Sequence, residues 1–199
     1  MCHLNAYEDY KRRFLAGDST VIAQQSGGKI AHGTNYLLIS YFNQEVKVDL
    51  VTGEIDGKET LLSDTDKIII WSYLINAKGL EPVGKWVGFA EMPGAQNHQQ
   101  MFKRNTTEPL AQTFGADAEG FARAAAALGG QKVKLGDSGY VFQVFPKVLV
   151  AVSIYLDDEE FPANANLIFD VAIIEQLDAP NIYTLSTEIA RKLCGFSCG

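Results

Sequence analysis

Cysteine is scarce in this chain: Cys2, Cys194 and Cys198 are the only three in 199 residues, and all lie at its ends. An odd number so placed makes no disulfide framework. The Cys194/Cys198 pair lacks the second close pair of a structural zinc site and the four thiolates of an iron–sulphur cluster, with only Cys2 and His3 as remote additions. A bland C-terminal tail is therefore expected. No run approaches the ~20 apolar residues that span a bilayer. Met1 to Arg13 is polar and mixed in charge, which predicts no signal peptide and a reducing cytoplasmic setting. Positive charge is also in deficit. Seventeen Lys and Arg face 24 Asp and Glu, for a net charge of −7 and a pI near 4.9. Affinity for nucleic acid comes mainly from phosphate neutralisation, and an acidic surface repels anionic membranes, so neither is an expected partner. The lone basic run, Lys11-Arg12-Arg13, reads as a solvated helix face. Small molecules, cations and other proteins are the partners left. A glycine-rich phosphate loop, a paired-histidine helix and a nucleophile elbow are all missing.

What is present is a core. Hydrophobic residues make up 47 % of the chain, with 11 Phe, 8 Tyr and 2 Trp, enough at this length for one cooperative unit. Leu4, Tyr7, Tyr10 and Phe14 recur at helical spacing before Gly17. Tyr36–Phe42 and Gln44–Leu50 read as a hairpin turning at Asn43-Gln44, with a second turn at Gly57. Ser63 and Asp66 make a capping-box start for a helix to Ala77 that is apolar on nearly every face and should be buried. Met92-Pro93-Gly94-Ala95 fits a type II turn. Thr107 and Asp117 are expected to cap two short helices. Tyr140–Phe145 and Val148–Tyr155 read as paired strands around Pro146-Lys147. Asp178 and Pro180 open a last helix with Ile182, Leu185, Ile189 and Leu193 on one face. Two groups of strands separated by helices predict an α+β fold over residues 1–199: a single domain with an antiparallel or mixed sheet packed against several helices.

Three constellations bear on chemistry. Gly136-Asp137-Ser138-Gly139, with His32 upstream, resembles the nucleophile surroundings of trypsin-like proteases. Those enzymes are double β-barrels, however, and a turn before a strand explains the same residues. Asp157-Asp158-Glu159-Glu160-Phe161-Pro162 places four repelling carboxylates after a hydrophobic strand. With Asn164, Asn166 and Asp170 downstream it offers oxygen ligands for a hard cation. The plainer alternative is a solvated loop whose acids cap the next helix. Glu91 and His98 flank the rigid Pro93-Gly94 turn, with Trp86 and Phe89 nearby, as an acid–base pair or as an ordinary structural loop.

Three stretches together resemble a prokaryotic family known only as a domain of unknown function. They are Trp86-Val87-Gly88-Phe89-Ala90-Glu91-Met92-Pro93-Gly94-Ala95, then Pro109 to Gly115, then Asp158-Glu159-Glu160-Phe161-Pro162-Ala163-Asn164-Ala165-Asn166-Leu167-Ile168-Phe169-Asp170. The resemblance runs from about Tyr7 to Leu193. It implies a family of anaerobic bacteria and archaea, some members labelled iron–sulphur cluster domain proteins through attached cluster-binding modules. It brings no cofactor, activity or catalytic residue to this chain. The expectation that follows is a non-catalytic ligand- or cofactor-binding accessory protein in anaerobic metallocofactor or redox metabolism. Its site would be the Glu91–Ala95 turn facing Asp157–Asp170, lined by Trp86, Glu91, Pro93, Gly94, His98, Asp158, Glu159, Glu160, Phe161, Asn164, Asn166 and Asp170. An enzyme using the clustered carboxylates, metal-assisted or by acid–base chemistry, is the alternative, and a purely structural interaction module a third.

Overall fold

Two antiparallel sheets and the helices around them make up the α+β fold, in a computed structural model that describes residues 2–57 and 62–196. Helices α1 (Cys2–Leu15) and α2 (Ser19–Ser26) lead into a meander of β1 (Lys29–Ile30), β2 (Tyr36–Tyr41), β3 (Gln44–Asp49) and β4 (Ile55–Gly57). After α3 (Asp64–Asn76) comes β5 (Trp86–Gly88), followed by a 3₁₀ turn over Phe89–Glu91. Helices α4 (Gln99–Asn105), α5 (Thr107–Phe114) and α6 (Ala118–Ala127) come next. Strands β6 (Gln131–Val133), β7 (Ser138–Phe145), β8 (Val148–Tyr155) and β9 (Asn164–Asp170) follow, and α7 (Ala179–Phe196) closes the described chain. The second sheet runs β5-β9-β8-β7-β6, antiparallel at every pairing. The rule that ligands gather beyond the carboxyl ends of parallel strands therefore has no purchase on it.

Helix α3 is the hub, as its all-round apolar sequence predicts. Ser63 and Asp66 form the expected capping box. Trp71 and Tyr73 are fully buried, yet each finds a partner for its polar tip: Trp71 Nε1 donates to Gly53 O at 3.1 Å and the Tyr73 hydroxyl to Ser26 O at 2.8 Å. The Tyr73 ring stacks on Phe145 of β7 at 4.1 Å, which fixes the helix against the second sheet. Phe42 N donates to Val144 O at 3.0 Å and joins the sheets directly.

A buried charge network ties α3 to α7. The Tyr41 hydroxyl donates to Asp66 at 2.7 Å, Lys192 Nζ lies 3.0 Å from Asp66 and 3.2 Å from Glu188, and Arg191 braces Glu188. Burial pushes the Tyr41 hydroxyl well above its usual range, and the Asp66 charge beside it adds to this. Burial also opposes ionisation of Asp66, but the Tyr41 hydroxyl and the Lys192 ammonium outweigh it and hold the carboxyl below the usual range.

Several expectations need correcting. The hairpin turns at Phe42-Asn43, where both residues have positive φ (49° and 59°), rather than at Asn43-Gln44. Burial of the Phe42 ring and its bond to Val144 draw that residue out of the strand. The turn before β4 spans Val51–Gly53, held by Asp49, and β4 runs to Gly57, after which residues 58–61 lie outside the described residues. The segment that follows the acidic run is strand β9, so no helix is there for the acids to cap. Thr107 is the first residue of α5 rather than its cap. Helices α2 and α4 lie where the sequence had shown no pattern.

Candidate functional site

A cleft of about 660 Å³ opens beside the first half of β9. It exists because β5 is short. That strand pairs with Ile168, Phe169 and Asp170, then leaves at Gly88 for the 3₁₀ turn. The two helices α4 and α5 form the opposite wall. Phe89 and Phe102 are buried and stack at 4.3 Å, giving the cleft an apolar floor. One end is closed where Gly115 meets Ala163: a Cβ on this glycine would lie 2.2 Å from the Ala163 methyl carbon. Asp157 N donates to Gly115 O at 3.0 Å and pins the acidic loop to the end of α5.

Around this floor stand Gln99 and Lys103 of α4, Glu108 and Gln112 of α5, Tyr155 at the end of β8, and Asn164 and Asn166 of β9. Among the described residues the side chains of Gln99, Lys103, Glu108, Gln112, Tyr155 and Asn166 make no hydrogen bond or ion pair with the protein. They are mostly exposed, so water satisfies them and a ligand with matching groups would replace that water.

Of the residues singled out from sequence, Asn164 and Asn166 line this cleft, while Gly94 and His98 line another. That second cavity, about 320 Å³, also includes Phe89, Met101, Pro180 and Tyr183. Trp86 sits on β5 opposite Asp170, half-exposed. Glu91 accepts from Gly88 N at 2.6 Å and caps its own 3₁₀ turn; no hydrogen bond joins it to His98. Pro93 and Gly94 form the type II turn as expected, with Gly94 at φ +80° and Ala95 N bonded to Met92 O. Asp158 accepts from Glu160 N at 2.9 Å and Phe161 N at 2.7 Å, and these bonds, the Phe161 one first, hold its carboxyl below the usual range. Glu159 and Glu160 point to solvent beside Phe161, which is 67 % exposed. Asp170 is buried at the far end of β9, accepting from Val83 N, Gly84 N and Ala172 N. Six residues of strand, roughly 20 Å, separate it from Asn164, so the two do not serve one cation. Among the described residues no group of three or more His, Cys, Asp or Glu is placed to hold a metal ion. The segment that meets Asn164–Leu167 across the cleft is Gly88–Ala90, not the Glu91–Ala95 turn.

The remaining motifs resolve into structure. Gly136 has φ +62°, Asp137 accepts from Leu156 N at 2.9 Å, and Ser138 opens β7, so that motif is the expected turn before a strand. Cys194 is half-buried, with its thiol against Thr113 and Pro109 O. Cys198 and the Cys2 side chain lie outside the described residues. Lys103, Glu108, Gln112 and Tyr155 were missed from sequence because nothing local marks a residue whose importance comes from facing β9.

The profile of a family described as Domain of unknown function (DUF3786) matches residues 18–192. No curated protein and no solved structure matches the chain. No described helix is long and apolar enough to cross a membrane.

Proposed function

The chain belongs to the DUF3786 family, and from that premise we propose that it is a non-catalytic ligand-binding protein whose site is the cleft between β9 and the α4–α5 pair. The observation that carries this reading is the lining: six polar side chains without protein partners around the stacked Phe89 and Phe102. An apolar floor with a few convergent polar groups, at this volume, is the general character of small-ligand sites. The residues that suggested acid–base chemistry in the sequence do not line the cleft, and its ionisable groups are Lys103, Glu108 and Tyr155. Glu108 is its only carboxylate, it holds no His, Cys or Ser, and the clustered acids Asp158, Glu159 and Glu160 stand outside it. The resemblance to proteins of anaerobes extends the proposal to an accessory role in metallocofactor or redox metabolism.

Ala111 on α5 faces the cleft with a methyl group, so Ala111→Trp fills it from the helix side. Native mass spectrometry of protein purified without oxygen should show a bound species that Ala111→Trp loses while its melting temperature stays close to that of the parent. A bound species kept in full by the folded variant would overturn the assignment of the site.

A further inference from the structure

We propose that the occupant of the cleft is an extended peptide segment of a partner protein. It would add to the open edge of β9 as a further strand, with a basic side chain towards the Asp157–Glu160 loop. This rests on the reading of the cleft as the binding site and names the ligand class.

The edge itself carries the inference. Strand β5 pairs with β9 only at Ile168, Phe169 and Asp170, so Asn164 to Leu167 have a strand neighbour on one side alone. In an antiparallel ladder the backbone groups of alternate residues face the same side. Val171 N donates to Lys85 O at 2.8 Å, which places the odd-numbered residues on the β5 side. Ala165 and Leu167 therefore turn their main-chain polar groups toward the cleft. The Ala165 N–H is occupied by its neighbour's side chain, Asn164 Oδ1 at 2.9 Å, a local bond that a docking strand would exchange for its own. An unpaired edge is a template for strand addition, with main-chain bonds giving affinity and alternate side-chain pockets giving selectivity. Phe89, Phe102 and Leu167 supply the apolar pocket.

Length and charge narrow the occupant. Four residues of open edge span about 14 Å, a match for a short strand continuing the line of β5. At the closed end the loop of Asp157, Asp158, Glu159 and Glu160 carries no basic partner among the described residues, and the whole chain is at −7. Such a field favours a Lys or Arg on the incoming segment. A second copy of this chain is not the occupant. The α4–α5 wall stands across the edge, and two β9 edges would have to approach to about 4.8 Å to pair.

The test selects from a random hexapeptide display library on the full chain, with Ala111→Trp as the counter-target, and then synthesises the most enriched peptide. The expected winner alternates apolar residues and carries Lys or Arg near one end. Ala165→Pro removes an edge N–H at a position where an edge strand tolerates proline. It should weaken binding by about two- to tenfold, and N-methylation of alternate peptide amides, which removes several such bonds, by at least as much, these being main-chain hydrogen-bond losses. The amide triple change at Asp158, Glu159 and Glu160 should weaken it and reduce its salt dependence. Should Ala165→Pro fail to fold, as read by its melt, the N-methylated peptides decide alone. No enrichment over the counter-target, or a peptide indifferent to N-methylation, overturns the peptide assignment. A bound species that native mass spectrometry still finds, and that Ala111→Trp still removes, would then leave the cleft reading standing without it.

Discussion

Asp170 separates a structural carboxylate from a ligand-binding one. Its side chain is 1 % exposed and accepts three main-chain N–H groups, Val83 at 3.2 Å, Gly84 at 2.6 Å and Ala172 at 3.0 Å. These bonds hold the loop before β5 to the end of β9 and start the 3₁₀ turn after it. Asp170→Ala orphans all three donors. Ala172 stays buried, and an unsatisfied buried N–H costs roughly 1–3 kcal/mol. Val83 is largely exposed, so its loop can turn to water, and each loop donor loses only the net worth of a bond, about 0.5–1.5 kcal/mol. The expected total is about 3 kcal/mol, which at this chain length lowers the melting point by roughly 6–12 °C. Asp170→Asn keeps one acceptor oxygen and should cost about half as much. Urea unfolding checks both, with the slope unchanged so that the midpoint reports stability. A loss below about 1 kcal/mol for the alanine variant would refute the clamp. So would loss of cleft binding by the folded asparagine variant, because Asp170 lies outside the cleft.

Three further outcomes follow from the charged groups. Asp66 has its carboxyl lowered in the fold, so its contribution is present above the unfolded value near 3.9 and is lost as pH falls through the folded value; Asp66→Asn should flatten the stability profile below about pH 4, measured by urea titration across pH. In the same network Lys192→Met should cost about 3–5 kcal/mol by leaving the buried Asp66 carboxylate without its cation, while Glu188 keeps Arg191, and a loss under ~1 kcal/mol would argue against the network. Glu159→Gln with Glu160→Gln should shift stability by no more than about ±0.5 kcal/mol, and a thermal melt with Ca²⁺, Mg²⁺, Mn²⁺ or Fe²⁺ should show no ion-dependent shift that these changes remove; such a shift would restore a cation site to the loop.

Much of the scaffold was legible because its signals are local. A capping box at Ser63 and Asp66, a Pro-Gly turn, an Asp cap before Gly120 and the apolar spacing of α7 each act within one turn of chain. Element boundaries failed where tertiary contacts outbid the local pattern, as at Phe42, which leaves its strand to bury a ring between sheets. Strand β9 was obscured for a related reason. Asn164 and Asn166 alternate with Ala165 and Leu167, but short polar residues after four carboxylates read as loop. Only pairing with β8 makes that alternation a half-buried strand.

The site was harder to see because it is made by something stopping. Charge draws attention to Asp158, yet that carboxylate is occupied with its own turn. Burial draws attention to Asp170, and its oxygens are occupied with Val83, Gly84 and Ala172. The cleft exists because β5 ends at Gly88 while β9 continues for four more residues. No residue type announces that difference in strand length. The Phe89 ring, buried on Phe102, and the Glu91 cap on Gly88 N together hold Phe89–Glu91 in a 3₁₀ turn that takes the chain away from β9. A carboxylate first read as a catalytic candidate thus shapes the site through the backbone. Glu91→Gln retains an acceptor for that bond and should preserve the cleft. Glu91→Ala removes the cap and should loosen the 88–91 turn, lowering affinity for the selected peptide while Phe89 stays buried on Phe102; affinity equal to the parent's would refute the capping role.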